Sequence, residues 1–178
     1  MPDVTIVVDV ENGFCKFGNL ASPRCDAAIP NIKRVIEARI QAGDQIFFTA
    51  DTHDPKDREF EIFPVHCVRG TPEAEIVPEL QPFLKDATLI RKRRYSAFFE
   101  TDLESRLKAA NPQQVTLVGV CTDICVMHTA ADLRNRDYHV VVPADAVATF
   151  DGPGHPGDDV QRWSLEHLQG VLGATVKQ

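Results

Sequence analysis

Short, almost wholly apolar runs rich in β-branched residues recur along this chain, each ending in a charged or reactive side chain. Val4–Asp9, Gln45–Asp51, Asp86–Lys92, the run that starts at Val115 and His139–Asp145 all have this form. Strands that are apolar on both faces belong to a parallel sheet covered on both sides, and strands alternating with helix-period segments build a three-layer α/β fold. A helix is predicted from about Pro30 to Ala42, with Ile32, Val35, Ile36 and Ile40 on one face, Pro30 in its first turn and Gly43 as terminator. Thr101–Glu104 has the form of a capping box opening another helix. Asp158–Leu172 reads as the last helix, before a short strand at Ala174–Val176. The expectation is a single domain over residues 1–178, α/β/α, with a mainly parallel six-stranded sheet.

Composition narrows the function classes. With 178 residues, 43% of them hydrophobic, the chain can bury one sizeable core. A net charge of -7 argues against a surface built for nucleic acid or an anionic membrane. The first strand-like run begins at Val4 without a basic and apolar leader, and no apolar run approaches the roughly 20 residues of a spanning helix, so a cytoplasmic protein is expected. The five cysteines are odd in number and lack CxxC spacing, which points to neither a disulfide framework nor a zinc ribbon.

Cys125 sits where the run from Val115 gives way to helical spacing at Val126, Thr129, Ala130 and Leu133. Unpaired N–H groups and the dipole of a helix start favour a thiolate there; the alternative is a buried cysteine packed as a small hydrophobe. Asp9 is either a turn residue or a group emerging at the carboxyl edge of the sheet, where open α/β folds bind ligands. The long polar loop from Asp51 to His66 holds Asp51 and His53 as a D-x-H pair, then Glu59 and His66. Carboxylates with imidazoles suit zinc, iron or manganese; the alternative is a solvated charged loop. Arg91–Arg94 lacks a glycine-rich phosphate cradle and reads as solvated strand-end charge. Asp9, Lys92 and Cys125 all end strands, so one sheet edge gathers a base, a cation and a nucleophile. His128, three residues beyond Cys125, is expected on a face away from that edge.

Five motifs carry a family resemblance: Asp9-Val-Glu-Asn-Gly-Phe14, Asp51-Thr-His53, Phe63-Pro-Val-His66-Cys-Val-Arg-Gly-Thr71, Lys92-Arg-Arg-Tyr-Ser-Ala-Phe98 and Gly119-Val-Cys-Thr-Asp-Ile-Cys125-Val. In order and spacing, over roughly residues 4 to 150, they resemble the isochorismatase-like cysteine hydrolase superfamily, and within it the nicotinamidases and pyrazinamidases. The resemblance implies a triad of Asp9, Lys92 and Cys125, a cis peptide at Val120–Cys121, and an oxyanion hole from the backbone N–H groups of Cys121 and Cys125. It implies one divalent metal ion (zinc, iron or manganese) on Asp51, His53 and His66, with Glu59 as a variable ligand. Phe14 and Phe63 match substrate-sandwiching positions, and Tyr95 and Phe99 are further wall candidates. The activity implied is hydrolysis of nicotinamide, and of pyrazinamide, to the acid and ammonia through a cysteine thioester. A small-molecule amide is then the partner, with homo-oligomers common in the family.

The first motif has Glu11 and Gly13 where the family usually has Gln and Asp, Phe63 replaces a common Trp, and Cys121 stands where a smaller residue is frequent. These departures leave the triad intact and the substrate open. The alternatives are another cysteine-dependent C–N hydrolase of the superfamily, acting on a carbamoyl, ureido or maleamate-type amide, or a non-catalytic binding protein on the same fold.

Overall fold

The computed structural model describes residues 2–178. Its strands are β1 (Val4–Val8), β2 (Gln45–Asp51), β3 (Thr88–Lys92), β4 (Val115–Val120), β5 (Val140–Pro143), β6 (Val147–Ala148) and β7 (Thr175–Lys177). They form one sheet in the order β3-β2-β1-β4-β5-β7, with β6 alongside β4, and every strand pairing is parallel. The sheet therefore has seven strands rather than the expected six. The addition is β6, whose two residues pair with Gly119 and Val120; so short a strand leaves no periodic pattern.

β1 and β4 are buried along their whole length, as sheet centres covered on both faces must be. Alternate residues feed two cores. Val7, Phe48 and Val118 pack with Ile29, Ile32 and Ile36 of the helix α2 (Pro23–Gln41). Ile6, Val8, Phe47 and Leu117 face Leu103 and Leu107 of α3 (Leu103–Ala110), Ala130 and Leu133 of α4 (Met127–Arg134), and Leu168 of α5 (Gly157–Gly170). A one-turn helix, α1 (Asn12–Cys15), links β1 toward α2. The expected three layers are present.

Two helix starts differ from expectation. α2 begins at Pro23, seven residues before Pro30, with the Ser22 hydroxyl accepting from Arg24 N–H at 3.3 Å. Pro23 supplies the preorganised first position, and Pro30 lies inside the helix, held there by burial of Cys25, Ala28 and Ile29 around it. At α3 no capping box forms: Thr101 accepts from Leu103 N–H and donates to the Ala97 carbonyl, and Asp102 makes no side-chain cap bond.

The topology places a site. From β1 the chain builds outward to β2 and β3, then returns to β4 on the other side of β1. Connections leave the sheet edge in opposite directions there, and the crevice between β1 and β4 is where such sheets admit ligands. Gly119 lets the two strand ends meet: it has φ +123°, and a Cβ on it would collide with the Val8 backbone carbonyl.

Candidate active site

Asp9 follows β1 directly, in a left-handed conformation (φ 49°) that an aspartate adopts at a cost of about 1 kcal/mol or more. Thr49, from the neighbouring strand, donates its hydroxyl to Asp9 Oδ1 at 2.6 Å, and Asp9 N–H donates to the Thr49 carbonyl at 3.2 Å. Lys92 closes β3 in register with Asp51, which closes β2. Its long side chain reaches across β2, and Nζ lies 2.7 Å from Asp9 Oδ2, 3.2 Å from Asp51 Oδ1 and 3.5 Å from Cys125 Sγ. The side chains of Asp9 and Lys92 are completely buried.

A buried ammonium is tolerated only when well compensated. Burial by itself drives Lys92 toward the neutral amine, but Asp51 and Asp9 more than offset it and hold its pKa well above the usual lysine value. Burial pushes Asp9 up against the pull of Lys92, which leaves a carboxylate of raised basicity. Asp51 moves the other way: Lys92, His53 and His66 overcome its burial and hold it well below the carboxylate range.

Cys125 lies in a π-helical turn, Thr122–Val126, that precedes α4, within hydrogen-bonding reach of Asp9. Burial, opposed by Lys92 but reinforced by Asp9 and Asp51, raises its thiol well above the ordinary cysteine value. The helix start does not outweigh burial beside two carboxylates. The Val120–Cys121 peptide is cis, and the Cys121 carbonyl accepts from the N–H groups of Ile124 and Val126. The Cys121 thiol is free and half-buried. His128 is exposed, with Nδ1 bonded to the Ile124 carbonyl and its ring packed 5.3 Å from that of Tyr95.

The loop after β2 folds back on itself. His53 N–H donates to the Cys67 carbonyl and Arg69 N–H to the His53 carbonyl, which returns His66 beside His53. Ligand-type atoms of Asp51, His53, Glu59 and His66, all buried, lie within 4.8 Å of one another. Asp51 Oδ2 is 2.9 Å from His53 Nε2 and 3.5 Å from His66 Nε2; Glu59 Oε1 is 3.8 Å and 4.0 Å from the same two nitrogens. Ligands about 2.1 Å from a tetrahedral ion stand about 3.4 Å apart, so the set fits one small divalent cation. The outer nitrogens are also disposed for it: His66 Nδ1 donates to the Pro64 carbonyl at 2.7 Å, and His53 Nδ1 faces Asp57 Oδ2 at 3.2 Å. Both Nε2 atoms are thereby aimed inward. Glu59 Oε1 faces the two imidazoles, while its other oxygen, Oε2, lies 3.6 Å from the Arg94 guanidinium. Arg94 turns outward onto Asp57 at 2.8 Å and Arg93 onto Glu100, so the arginine cluster is spent on ion pairs.

Between Cys125 and the Asp51, Glu59 and His66 cluster opens a cavity of about 340 Å³, at the small end of ligand sites. Asp51, Glu59, His66, Cys121 and Cys125 line it, with Phe14, Phe63 and Tyr95 as aromatic walls. Phe99 is not a wall, which corrects the expectation for that residue. It is 43% exposed under the Arg93 guanidinium, because the turn after β3 directs Tyr95 inward and Phe99 to solvent. Sequence reasoning missed Ile124 and the wall formed by Phe150–Pro153, which reads in the sequence only as part of a turn-rich connection.

Comparisons with known proteins agree with this geometry. The isochorismatase domain matches residues 3–176. The crystal structure of a pyrazinamidase/nicotinamidase from Streptococcus mutans UA159 is 35% identical, covers 98% of this chain and 99% of its own, and superposes with a TM-score of 0.90. A pyrazinamidase of Pyrococcus horikoshii in complex with zinc is 30% identical, with 100% and 99% coverage and a TM-score of 0.88. An N-carbamoylsarcosine amidase from Thermoplasma acidophilum is 33% identical, with 100% and 96% coverage and a TM-score of 0.87. A parallel sheet with an acid, a lysine and a cysteine at its switch point, matched over nearly the whole length, makes this chain a member of the isochorismatase family of hydrolases.

Proposed function

We propose that the chain is an amidohydrolase of nicotinamidase type, hydrolysing nicotinamide and pyrazinamide to the acid and ammonia. The observation that carries this reading is the position of Lys92 Nζ, in contact with Asp9, Asp51 and Cys125 at one end of a cavity whose other lining includes the Asp51, Glu59 and His66 carboxylates and imidazole. A thiol, a base of raised pKa and a fixed cation meet where a planar amide fits between Phe14, Phe63 and Tyr95.

In the mechanism, Asp9 takes the proton from Cys125 as Sγ bonds to the amide carbon. Lys92 stays protonated and stabilises the charge that Asp9 and Cys125 exchange. The N–H groups of Cys121 and Cys125 receive the oxyanion. Asp9 returns its proton to the amide nitrogen as the C–N bond breaks and ammonia leaves. Water then attacks the thioester, Asp9 again taking the proton, and the C–S bond breaks to release the acid and restore the thiol. Asp51, His53 and His66, with Glu59 as further ligand, would hold a divalent ion, which would supply a Lewis-acidic point for a heteroaromatic ring nitrogen.

Cys125→Ala should lower ammonia release from nicotinamide by at least about 10³-fold while leaving the circular dichroism spectrum unchanged. Retained turnover would refute the nucleophile. A panel of nicotinamide, pyrazinamide, ureido acids and maleamate separates this reading from the carbamoyl-amide reading that the N-carbamoylsarcosine amidase raises: faster release from the ureido acids would decide for the latter.

A further inference from the structure

One wall of the cavity has no counterpart in the sequence motifs. Phe150, Asp151, Gly152 and Pro153 line it, in the loop between β6 and α5. This loop is tied tightly to the rest of the fold. Gly152 and His155 exchange backbone hydrogen bonds of 3.0 and 2.9 Å, closing a small turn. Arg24 donates Nε to the Thr149 carbonyl at 3.2 Å and pairs with Asp158 at 2.7 Å, which anchors the loop to the start of α2. Asp151 accepts from Gly157 N–H at 2.7 Å.

The ties converge on Asp123. The His155 ring lies flat against Phe150, with centroids 3.9 Å apart and planes within 3°. Its Nδ1 bonds the Phe150 carbonyl at 3.0 Å, and its Nε2 bonds Asp123 Oδ2 at 2.8 Å. Thr149 donates its hydroxyl to the other oxygen, Asp123 Oδ1, at 2.5 Å. Asp123 belongs to the π-helical turn that carries Cys125. One carboxylate therefore holds both the residue before Phe150 and the ring stacked behind it, from a position two residues before the nucleophile. A second strut runs beside it: Thr122 donates to Gln161, whose amide donates to the Val147 carbonyl.

We propose that Phe150 is a specificity-determining wall for a planar heteroaromatic amide, and that His155, through its bond to Asp123 and its stack on Phe150, is the positioning residue that sets this wall against the Cys125 turn. The inference rests on the amidase reading above and adds to it. An aromatic wall favours a flat ring through offset or edge contacts, and that preference holds only while the wall keeps its distance from the reacting carbon. His155 touches no reacting group; it acts through Phe150 and Asp123.

The test compares wild type with Phe150→Ala, His155→Ala, His155→Gln and the Phe150→Ala/His155→Ala double variant. Ammonia release from nicotinamide and from an aliphatic ureido acid is measured, and active enzyme is counted by iodoacetamide alkylation of Cys125. Phe150→Ala and His155→Ala should each raise KM for nicotinamide about tenfold, with kcat per active site changed less than about threefold. The double variant should be no worse than the more impaired single one, since both remove the same wall. His155→Gln, which keeps a donor toward Asp123, should recover at least half of the loss on a logarithmic scale. KM for nicotinamide within twofold of wild type in both single variants, or losses that multiply in the double variant, would overturn the inference. Should His155→Ala fail to fold, judged by circular dichroism, Phe150→Leu with His155→Gln reads the same KM split. A wild-type enzyme without turnover of any heteroaromatic amide would instead overturn the amidase reading and this inference with it.

Discussion

Glu11 shows how a single residue can be reset by its surroundings. Its side chain is fully buried, Oε2 accepts from Asp51 N–H at 2.6 Å, and Oε1 has no partner. Burial, reinforced by Asp9 and Asp51, raises its pKa well above the usual 4.5. Folded protein therefore keeps a proton on Glu11 that the unfolded chain gives up above about pH 4.5, so this residue's contribution is complete below that value and is lost as pH rises toward the folded pKa. Glu11→Gln keeps the acceptor and removes the ionisation. Urea unfolding across pH 5 to 8 should find the variant more stable than wild type by a margin that grows with pH; a constant or shrinking margin would contradict the assignment. Asp9 and Lys92 were legible in the sequence because each closes an apolar run, and Cys125 because it sits in the turn just after one; a parallel sheet brings such ends to one edge. The protonation states were not legible. They depend on which carboxylates face each other across neighbouring strands, and the upward push on the Cys125 thiol is the clearest consequence.

Elements were legible where the pattern was long. β1, β2, β4 and α2 announce themselves by four or more periodic apolar residues, whereas β6, with two residues, does not. The start of α2 was misplaced because Pro30 matches a first-turn proline as well as Pro23 does, and only burial on the inner face distinguishes them. Phe99 and Phe150 show the same limit in loops: adjacent turn residues point in or out according to backbone turns that carry no period. At this scale the junction of β1 and β4 is the most constrained point. Gly119→Ala forces a Cβ into the Val8 carbonyl at a positive φ that alanine disfavours, so it should lower unfolding free energy by about 2 kcal/mol or more and reduce turnover as Asp9 and Cys125 part. Equilibrium urea unfolding of the variant checks this, and a loss under about 0.5 kcal/mol would show that the junction yields easily.

For the whole molecule, the sheet order does the assembling: β3, β2, β1 and β4 lie side by side, so Lys92, Asp51, Asp9 and Cys125 arrive from four adjacent strands. No helix among the described residues is long and apolar enough to cross a membrane. A cation held by the buried Asp51, His53, Glu59 and His66 would bind the folded chain alone, and an ion at 100 times its Kd would add about 2.7 kcal/mol of stability. Chelation should lower Tm, added zinc should restore it, and Asp51→Ala/His53→Ala should show neither effect; a chelator-insensitive Tm in wild type would remove the metal from the account. Covalent catalysis by Cys125 is read out by acid quenching of wild-type enzyme during nicotinamide turnover, followed by peptide mass spectrometry. A nicotinoyl thioester is expected on the peptide containing Cys125, absent from Cys125→Ala; turnover with an unmodified Cys125, or an acyl group on another residue, would rule out Cys125 as the nucleophile.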